Sequence, residues 1–183
     1  MVVNPQIKLS YEDYQNLPES ETKRYELLEG ELVMVPAPNW FHQSIARVLF
    51  KFLDNFVGKN SLGEVRFAPL DVVLSDEIVV QPDIIYISKQ RAKIIHQEEV
   101  RGAPDLVVEI LSLATAKRDR TTKKTLYARY GVTEYWLVDP ETNTVEVLKL
   151  TARGYRRAGV YGEKETLRSP LLPGLEIPLS KVF

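Results

Sequence analysis

The sequence predicts a mixed α/β or α+β fold, in which a mixed β-sheet carries two longer helices. Apolar residues recur at helical spacing over residues 41–57, and a second helical stretch covers 115–130. Short apolar runs of strand length lie around and between them. This order of elements is typical of a sheet with helices packed on it. The 183 residues are enough for one core, so we expect a single domain over 1–183.

The first elements are a short helix and a hairpin. Ser10 and Asp13 have the spacing of a capping box, which predicts a helix over residues 10–17. Two β-type runs, Tyr25–Leu28 and Glu31–Val35, flank Glu29-Gly30. Such a pair between two strand-like runs predicts a tight β-hairpin turn.

The elements after the hairpin begin with a long helix from Asn39 to about Gly58. From Phe41 to Phe56, seven apolar side chains share one helical face. We expect a short helical stretch at 89–95 and a helix at 115–130. The predicted strands are Val65–Phe67, Leu70–Leu74, Val79–Ser88, Asp105–Ser112, Glu134–Asp139, Thr144–Leu148, and two near 154–160 and 172–178.

Two carboxylates, Asp83 and Glu109, interrupt apolar runs that favour burial. A buried carboxylate needs a cation or several donors, and for either residue alone an Arg or Lys partner is a sufficient explanation. Strands lie about 4.8 Å apart, so both residues together can also share one Mg²⁺. Asp105 cannot join them, because four strand residues separate it from Glu109 by roughly 13 Å. Pro82 predicts an edge strand or a bulge.

Pro82-Asp83, followed by Glu109 in an apolar strand, resembles the pattern of the PD-(D/E)XK nuclease superfamily. Nearly the whole chain resembles the Uma family of restriction-endonuclease-like proteins. The matching stretches are Tyr25–Leu32, His42, Gln81–Ile84, Gly102–Ser112, Asp119 with Lys123 and Tyr127, Gly131–Pro140 and Leu172–Glu176. The resemblance implies a restriction-endonuclease-like mixed sheet flanked by helices. It also implies hydrolysis of phosphodiester bonds with Mg²⁺, or Mn²⁺ as a substitute, held by catalytic Asp83 and Glu109.

The superfamily usually has a lysine two residues after the Glu, and Leu111 stands there in this chain. The resemblance implies that the lysine comes from the following helix instead. Lys123 is our candidate, since it shares a helix face with Asp119 and Tyr127. Its role would be to orient or deprotonate the attacking water, or to neutralise charge on the phosphate. The alternative is a solvated ion pair with Asp119.

Three further residues are secondary candidates. Glu26 matches a family position that contributes to the metal shell in nucleases of this fold; the alternative is an exposed hairpin charge. His42 lies at the edge of the apolar helix face and is either a phosphate or proton-transfer group or a hydrogen-bonded boundary residue. Gln81 is two residues before Asp83 and is expected to hydrogen-bond around the site.

The charges are unevenly distributed, although 24 basic and 25 acidic residues give a net charge of −1. Residues 113–131 carry six basic residues and one acidic residue, so their net charge is +5, whereas residues 1–35 carry three basic and seven acidic residues, a net −4. The helical segment predicts a nucleic-acid contact, with a solvated surface as the alternative. The candidates are Lys117, Arg118, Arg120 and Lys124.

The leading prediction is a Mg²⁺-dependent endonuclease that acts on nucleic acid, with DNA as the expected substrate. A nuclease-fold module without catalysis that binds nucleic acid or a protein partner is the alternative, and a small-molecule phosphate hydrolase or interaction subunit is a third hypothesis. The chain has no cysteine and two histidines, which excludes disulfide and thiolate metal chemistry. We expect a cytoplasmic homodimer without a membrane partner, its contact made by the C-terminal hairpins.

Overall fold

The computed structural model describes residues 7–18 and 24–183. The helices are α1 (Tyr11–Gln15), α2 (Trp40–Lys59) and α3, which runs as Ala116–Arg118, a π-helical turn Asp119–Lys123, and Lys124–Tyr130. Short 3-10 turns cover Lys89–Ile94 and Leu179–Lys181. The strands are β1 (Arg24–Leu28), β2 (Glu31–Val35), β3 (Gly63–Phe67), β4 (Asp71–Ser75), β5 (Ile78–Val80), β6 (Ile84–Ser88), β7 (Glu99–Arg101), β8 (Leu106–Ile110), β9 (Glu134–Asp139), β10 (Thr144–Thr151), β11 (Gly154–Gly162), β12 (Thr166–Arg168) and β13 (Glu176–Pro178).

The strands form two mixed sheets and a small ribbon. The larger sheet has the order β11-β10-β9-β8-β6-β3, in which only β8 and β9 are parallel. The second sheet has the order β2-β1-β5-β4-β7, with β4 and β7 parallel. β12 and β13 pair with each other. The strands of the larger sheet therefore bring the end of β8 next to the start of β6.

Two hydrophobic clusters lie on opposite faces of the larger sheet. On one face, α2 buries Ile45, Leu49, Leu53 and Val57 against alternate residues of the sheet and against the C-terminal segment. On the other face, the second sheet and α3 pack against the remaining set of alternate residues. Both faces of the larger sheet are thus covered, which explains why β8 is apolar at four of its five positions.

The local sequence signals of the first elements are confirmed. Ser10 and Asp13 form the capping box of α1. Glu29 and Gly30 both have positive φ, at 53° and 85°, as a two-residue hairpin turn between β1 and β2 requires. Asn39 caps α2 by accepting a hydrogen bond from the His42 backbone N–H at 2.8 Å. The predicted helix at 115–130 is also present, although its π-helical turn was not predicted.

Several boundaries differ from the prediction. The run Val79–Ser88 is not one strand: it splits into β5 and β6, which belong to different sheets. Pro82 and Asp83 lie in the connection, so Asp83 is not inside a strand and Pro82 marks neither an edge strand nor a bulge. The lack of an N–H on proline suits a point where the chain leaves one sheet for the next. Residues 172–178 are extended only at Glu176–Pro178, and β7 and β12 were not predicted.

The sequence predicted one mixed sheet, but the strands form two. The alternation of apolar residues along a strand does not indicate which other strands it pairs with. The helices within residues 7–18 and 24–183 are each too short or too polar to span a lipid bilayer.

Candidate active site

A cleft of about 510 Å³ opens where the hairpin, the start of α2, the β5–β6 connection, the end of β8 and α3 meet. All six residues proposed from the sequence for catalysis and its support contribute to its wall. They are Glu26, His42, Gln81, Asp83, Glu109 and Lys123. These residues come from five separate segments, which strand pairing in two sheets and the packing of two helices bring together.

Lys123 lies at the centre of a buried cluster of carboxylates. Its Nζ is 2.7 Å from Glu26 Oε1, 2.9 Å from Glu109 Oε1 and 3.6 Å from Asp119 Oδ1. Its side chain is 5% exposed, so the alternative of a solvated pair with Asp119 is wrong. Glu26 is fully buried on β1, so it is not an exposed hairpin charge either.

The protonation states in this cluster follow from burial and charge. Burial opposes the charge on Lys123, but Glu109, Glu26 and Asp119 outweigh it and raise the pKa of the amine above its usual range. Burial raises the pKa of Glu109 well above its usual range, although the Lys123 charge counteracts it. The pKa of Asp119 is raised for the same reason. These carboxylates therefore favour the ammonium form of Lys123.

Tyr127 holds Glu109 from a second direction. Its hydroxyl donates to Glu109 Oε1 at 2.6 Å, and its ring packs edge to face on Tyr135 at 5.1 Å between centroids. Burial and the Glu109 charge raise the pKa of Tyr127, so the phenol keeps its proton and remains a donor. Trp136 and Tyr135 are fully buried in the core.

Asp83 is fixed by the end of β8 and by α2. Its Oδ2 accepts a hydrogen bond from the Ile110 backbone N–H at 2.7 Å and lies 3.3 Å from His42 Nε2. Burial opposes protonation of His42, but the Asp83 hydrogen bond and charge, together with the Ile110 backbone, raise the pKa of the imidazole above its usual value. The Asn39 cap holds the backbone of His42 at the first turn of α2, so the cap positions this contact.

Gln81 connects the cleft to the N-terminal helix. Its backbone N–H donates to Glu26 Oε1 at 2.9 Å, and its side-chain amide donates to Asp71 Oδ1 at 2.8 Å. Tyr14 of α1 also donates to Asp71 Oδ1, at 3.0 Å. The sequence prediction missed Asp71 and Tyr14, and no motif marks them; only the pairing of β4 with β5 brings Asp71 beside Gln81.

The oxygens of the cleft form a donor set suited to a hard cation. All contacts of Asp83 fall on Oδ2 and all contacts of Glu109 fall on Oε1, so within the described ranges Asp83 Oδ1 and Glu109 Oε2 have no protein donor. Glu26 Oε2 and Asp119 Oδ1 are buried without a hydrogen-bond partner. Carboxylate oxygens in excess of donors fit Mg²⁺, which usually takes one or two carboxylates and completes its shell with water or phosphate.

The described residues contain no group of three or more acidic or histidine side chains arranged to hold a metal by themselves. Asp105 is excluded as a third ligand, as predicted: it caps the start of β8 by accepting from the Ser88 backbone at 2.7 Å and pairing with Arg91 at 3.3 Å.

The basic residues of α3 are less available than their number indicates. Lys123 is inside the cluster, Arg129 pairs with Glu29 at 2.9 Å, and Arg120 pairs with Asp139 at 2.9 Å and lies 3.6 Å from Glu146. In the described part of the chain no ion pair involves the remaining three cations. They are Lys117, Arg118 and Lys124, of which Arg118 lines the cleft and has a buried Nε without a partner.

Comparison with known proteins agrees with this architecture. No curated protein matches the chain. A crystal structure described as that of "a putative nuclease belonging to DUF820" from Anabaena variabilis ATCC 29413 matches with a TM-score of 0.79 at 21% identity, covering 96% of this chain and 97% of that one. The two chains therefore share a fold. The model of the Uma2 family, described as "Putative restriction endonuclease", matches residues 11–180. The chain belongs to the Uma2 family.

Proposed function

We propose that the chain is a Mg²⁺-dependent endonuclease that hydrolyses phosphodiester bonds of DNA. The observation that carries the proposal is the 2.9 Å contact between Lys123 Nζ and Glu109 Oε1. It places an ammonium group at the cleft although Leu111 stands at the usual lysine position and is buried in the apolar cluster behind β8. The descriptions of the Uma2 family and of the Anabaena nuclease support the same reaction class.

In this proposal Asp83 and Glu109 would hold the metal through the oxygens that have no protein donor. When bound, the ion would neutralise charge on the phosphate and increase the acidity of the attacking water. Asp83 keeps its orientation through the Ile110 backbone and His42, and Glu109 keeps its orientation through Tyr127 and Lys123.

Lys123 acts as a fixed positive charge in this mechanism. Glu109, Glu26 and Asp119 raise the pKa of the amine, so these contacts favour the ammonium form over the neutral amine that a general base would need. A preorganised cation in a cleft with few donors stabilises the charge that develops on phosphate oxygens. Among the roles open to this lysine, charge neutralisation is the one its surroundings support.

A second candidate function is a nuclease-fold module that binds nucleic acid or a protein partner without cutting nucleic acid. The observation that favours it is the same ammonium group, which contacts three carboxylates and neutralises part of the charge that a metal would otherwise neutralise. Under this alternative the lysine replaces the metal, and the protein binds no divalent cation.

A cleavage panel with paired and single-stranded DNA and RNA tests the leading proposal. Purified protein should cut DNA with Mg²⁺ or Mn²⁺ and not with EDTA, and Glu109→Ala should reduce the rate by at least about 100-fold. Glu109→Gln keeps the side-chain shape and should reduce the rate similarly, because the charge is lost. Glu146→Gln is the matched control, since Glu146 lies on β10 and does not line the cleft. This variant should cut DNA at the wild-type rate.

Calorimetric titration with Mn²⁺ separates the two candidates. The endonuclease should bind the metal, and Asp83→Asn should weaken this binding by about tenfold or more. Wild-type protein that binds DNA but neither binds Mn²⁺ nor cuts would favour the non-catalytic module. Equal cutting by Glu109→Ala would contradict the assignment of this cleft.

A further inference from the structure

A second groove of about 270 Å³ adjoins the cleft and shares part of its wall. The shared residues are Arg24, Pro38, His42, Ala68 and Asp83. The groove continues along α2 past Gln43 and Arg47 to two aromatic rings, Phe50 and Phe67. A ligand that reaches Asp83 can therefore extend into this groove without leaving the protein surface.

Phe67 lies at the groove and is largely exposed, although its side chain is large and apolar. It is the last residue of β3, pairs with Ile84 directly after Asp83, and remains 57% exposed. Its ring packs edge to face on Phe50, with 4.8 Å between centroids and 71° between planes. Because Phe50 fixes one side of the ring, the rest of it offers a rigid aromatic surface to solvent.

The backbone links this aromatic surface to the carboxylate site. The Ala68 backbone N–H donates to the Asp83 carbonyl at 3.0 Å, immediately after Phe67 in the chain. The end of β3 and the β5–β6 connection are therefore one rigid unit. The distance from Phe67 to Asp83 is set by the sheet and not by a flexible loop.

The groove also carries positive charge. Arg24 and Arg47 line it, and neither takes part in an ion pair among the residues that the structure describes. The two cations flank apolar side chains, a combination typical of sites where bases stack on aromatic rings while arginines hold the phosphates. This pairing of a ring surface with cations, beside a carboxylate site, favours a nucleotide over a peptide or a lipid.

We propose that the groove formed by Phe67, Phe50, Arg47 and Arg24 binds one unpaired nucleobase of the DNA substrate next to the phosphate at Asp83. This inference rests on the proposed function and adds a substrate class to it: DNA with a single-stranded or extruded nucleotide. A base stacked inside a duplex cannot present its face to Phe67, so the nucleotide must be unstacked to enter. The volume of about 270 Å³ lies below the range of drug-sized ligand sites, roughly 300–1,000 Å³, and suits one ring system.

Binding without catalysis tests the proposal. Fluorescence anisotropy in EDTA compares a fully paired duplex with the same duplex carrying one unpaired 2-aminopurine, whose own fluorescence reports stacking. Wild-type protein should bind the second DNA more tightly and quench its 2-aminopurine. Phe67→Ala should lose about 5- to 150-fold in affinity for the unpaired substrate, the range expected for one base stacked on an aromatic ring. Phe67→Tyr should retain both the affinity and the quenching.

Two controls isolate the groove. Val160→Ala removes an exposed apolar side chain on β11 that lines neither the cleft nor the groove. It should leave affinity and quenching unchanged. Arg47→Gln should weaken binding. Lys59→Gln removes the same charge from the C-terminal end of α2, about 18 Å away along the helix, and should leave binding unchanged.

The outcomes distinguish this inference from the proposed activity. A preference for the unpaired base that Phe67→Ala abolishes supports the groove even if no DNA is cut. Equal affinity of the wild type for both duplexes, or an unchanged affinity and quenching in Phe67→Ala, overturns the groove. Metal-dependent cutting of the duplex with the unpaired base at the same rate by the wild type and Phe67→Ala, with unchanged affinity, would leave the endonuclease standing and overturn the groove.

Discussion

Lys123 shows how a buried charge can be retained because its surroundings are charged as well. Glu134 offers a contrast, as a buried carboxylate with ordinary structural partners: Trp136 Nε1 at 2.7 Å, Ser169 Oγ at 2.6 Å and the Leu171 backbone at 2.9 Å. Glu134 is satisfied by neutral donors and ties the C-terminal segment to β9. Glu26 and Asp119, by contrast, keep buried oxygens without donors, which is a feature of a site and not of a core.

The first prediction concerns the Lys123 ammonium group. Lys123→Met leaves Glu26, Glu109 and Asp119 buried without their cation, so the free energy of unfolding at pH 7 should fall by about 3–5 kcal/mol. Urea denaturation measures this change in the free energy of unfolding. Lys124→Met, at the next position, removes the same charge outside the cluster and should change stability by about 0.5 kcal/mol or less.

A double-substitution cycle checks the cause of that loss. Glu109→Gln combined with Lys123→Met should cost less than the sum of the two single changes, because the second substitution removes a charge that the first has already left unpaired. Additive losses would mean that the two side chains are not coupled, contrary to their 2.9 Å contact.

At the scale of elements, α3 matters through its π-helical turn as well as its charges. Residues Asp119–Lys123 follow i→i+5 spacing between two α-helical segments, and this turn contains both Asp119 and Lys123 of the cluster. A π turn takes one residue more than an α turn, and such turns are frequent at functional sites. The turn changes the direction of side chains before it relative to Leu126 and Tyr127, which are packed in the core.

The second prediction concerns this extra residue. Deletion of Thr122, which is exposed, should convert the turn to α-helix and rotate Ala116–Asp119 by about 100° relative to Tyr127. We expect the helical circular dichroism signal to persist while metal-dependent cleavage falls at least about 100-fold. Thr122→Ala keeps the chain length and should cut at the wild-type rate. Normal cleavage after the deletion would mean that the cluster does not depend on the turn.

At the scale of the whole molecule, ion pairs reduce the number of cations near the cleft that are open to the proposed DNA substrate. Residues 113–131 have a net charge of +5, but three of their cations are already paired. Lys123 lies in the carboxylate cluster, and Arg120 and Arg129 form ion pairs. Lys117, Arg118 and Lys124 remain, with Arg24 and Arg47 at the groove. Because exposed ion pairs already neutralise part of the surface, the DNA affinity should depend on these residues and not on the total charge.

The third prediction uses the salt dependence of DNA binding. Replacing Lys117, Arg118 and Lys124 together by Gln should reduce the slope of log K against log[salt] by about 2–3, because each phosphate contact contributes about 0.9. Fluorescence anisotropy over a range of salt concentrations measures it. The control is Arg129→Gln on the same helix, which breaks the pair with Glu29 and should change the slope by less than one. An unchanged slope in the triple variant would place the DNA elsewhere.

The oligomeric state and location stay predictions. The homodimer is expected from the symmetry of cutting two strands, with contact through the C-terminal hairpins. β12 and β13 pair with each other, and Leu167 and Ile177 are buried in the cluster beneath α2. The apolar residues of the ribbon therefore pack within the same chain. A dimer contact would have to involve the exposed side of the ribbon. Sedimentation of the purified protein tests the dimer.

The sequence by itself determined the local elements. The Ser10 cap, the Glu29-Gly30 turn and the apolar face of α2 are set by neighbours within a few residues, so their prediction needed no knowledge of the fold. It also determined the family and its candidate residues, because the order of motifs along the chain carries that information. It separated Glu109, which lines the cleft, from Glu134, which is a structural carboxylate, but it did not show what either side chain contacts.

Only the tertiary structure decided how the site is assembled. Burial of Glu26, the position of Asp83 between two sheets and the contact of Lys123 with Glu109 each depend on strands that are far apart in sequence. The same holds for the groove at Phe67, since an exposed aromatic residue at a strand end looks like any other apolar residue in the sequence. Strand pairing and packing are long-range, and the charge and exposure of a side chain follow from them rather than from its neighbours in the chain.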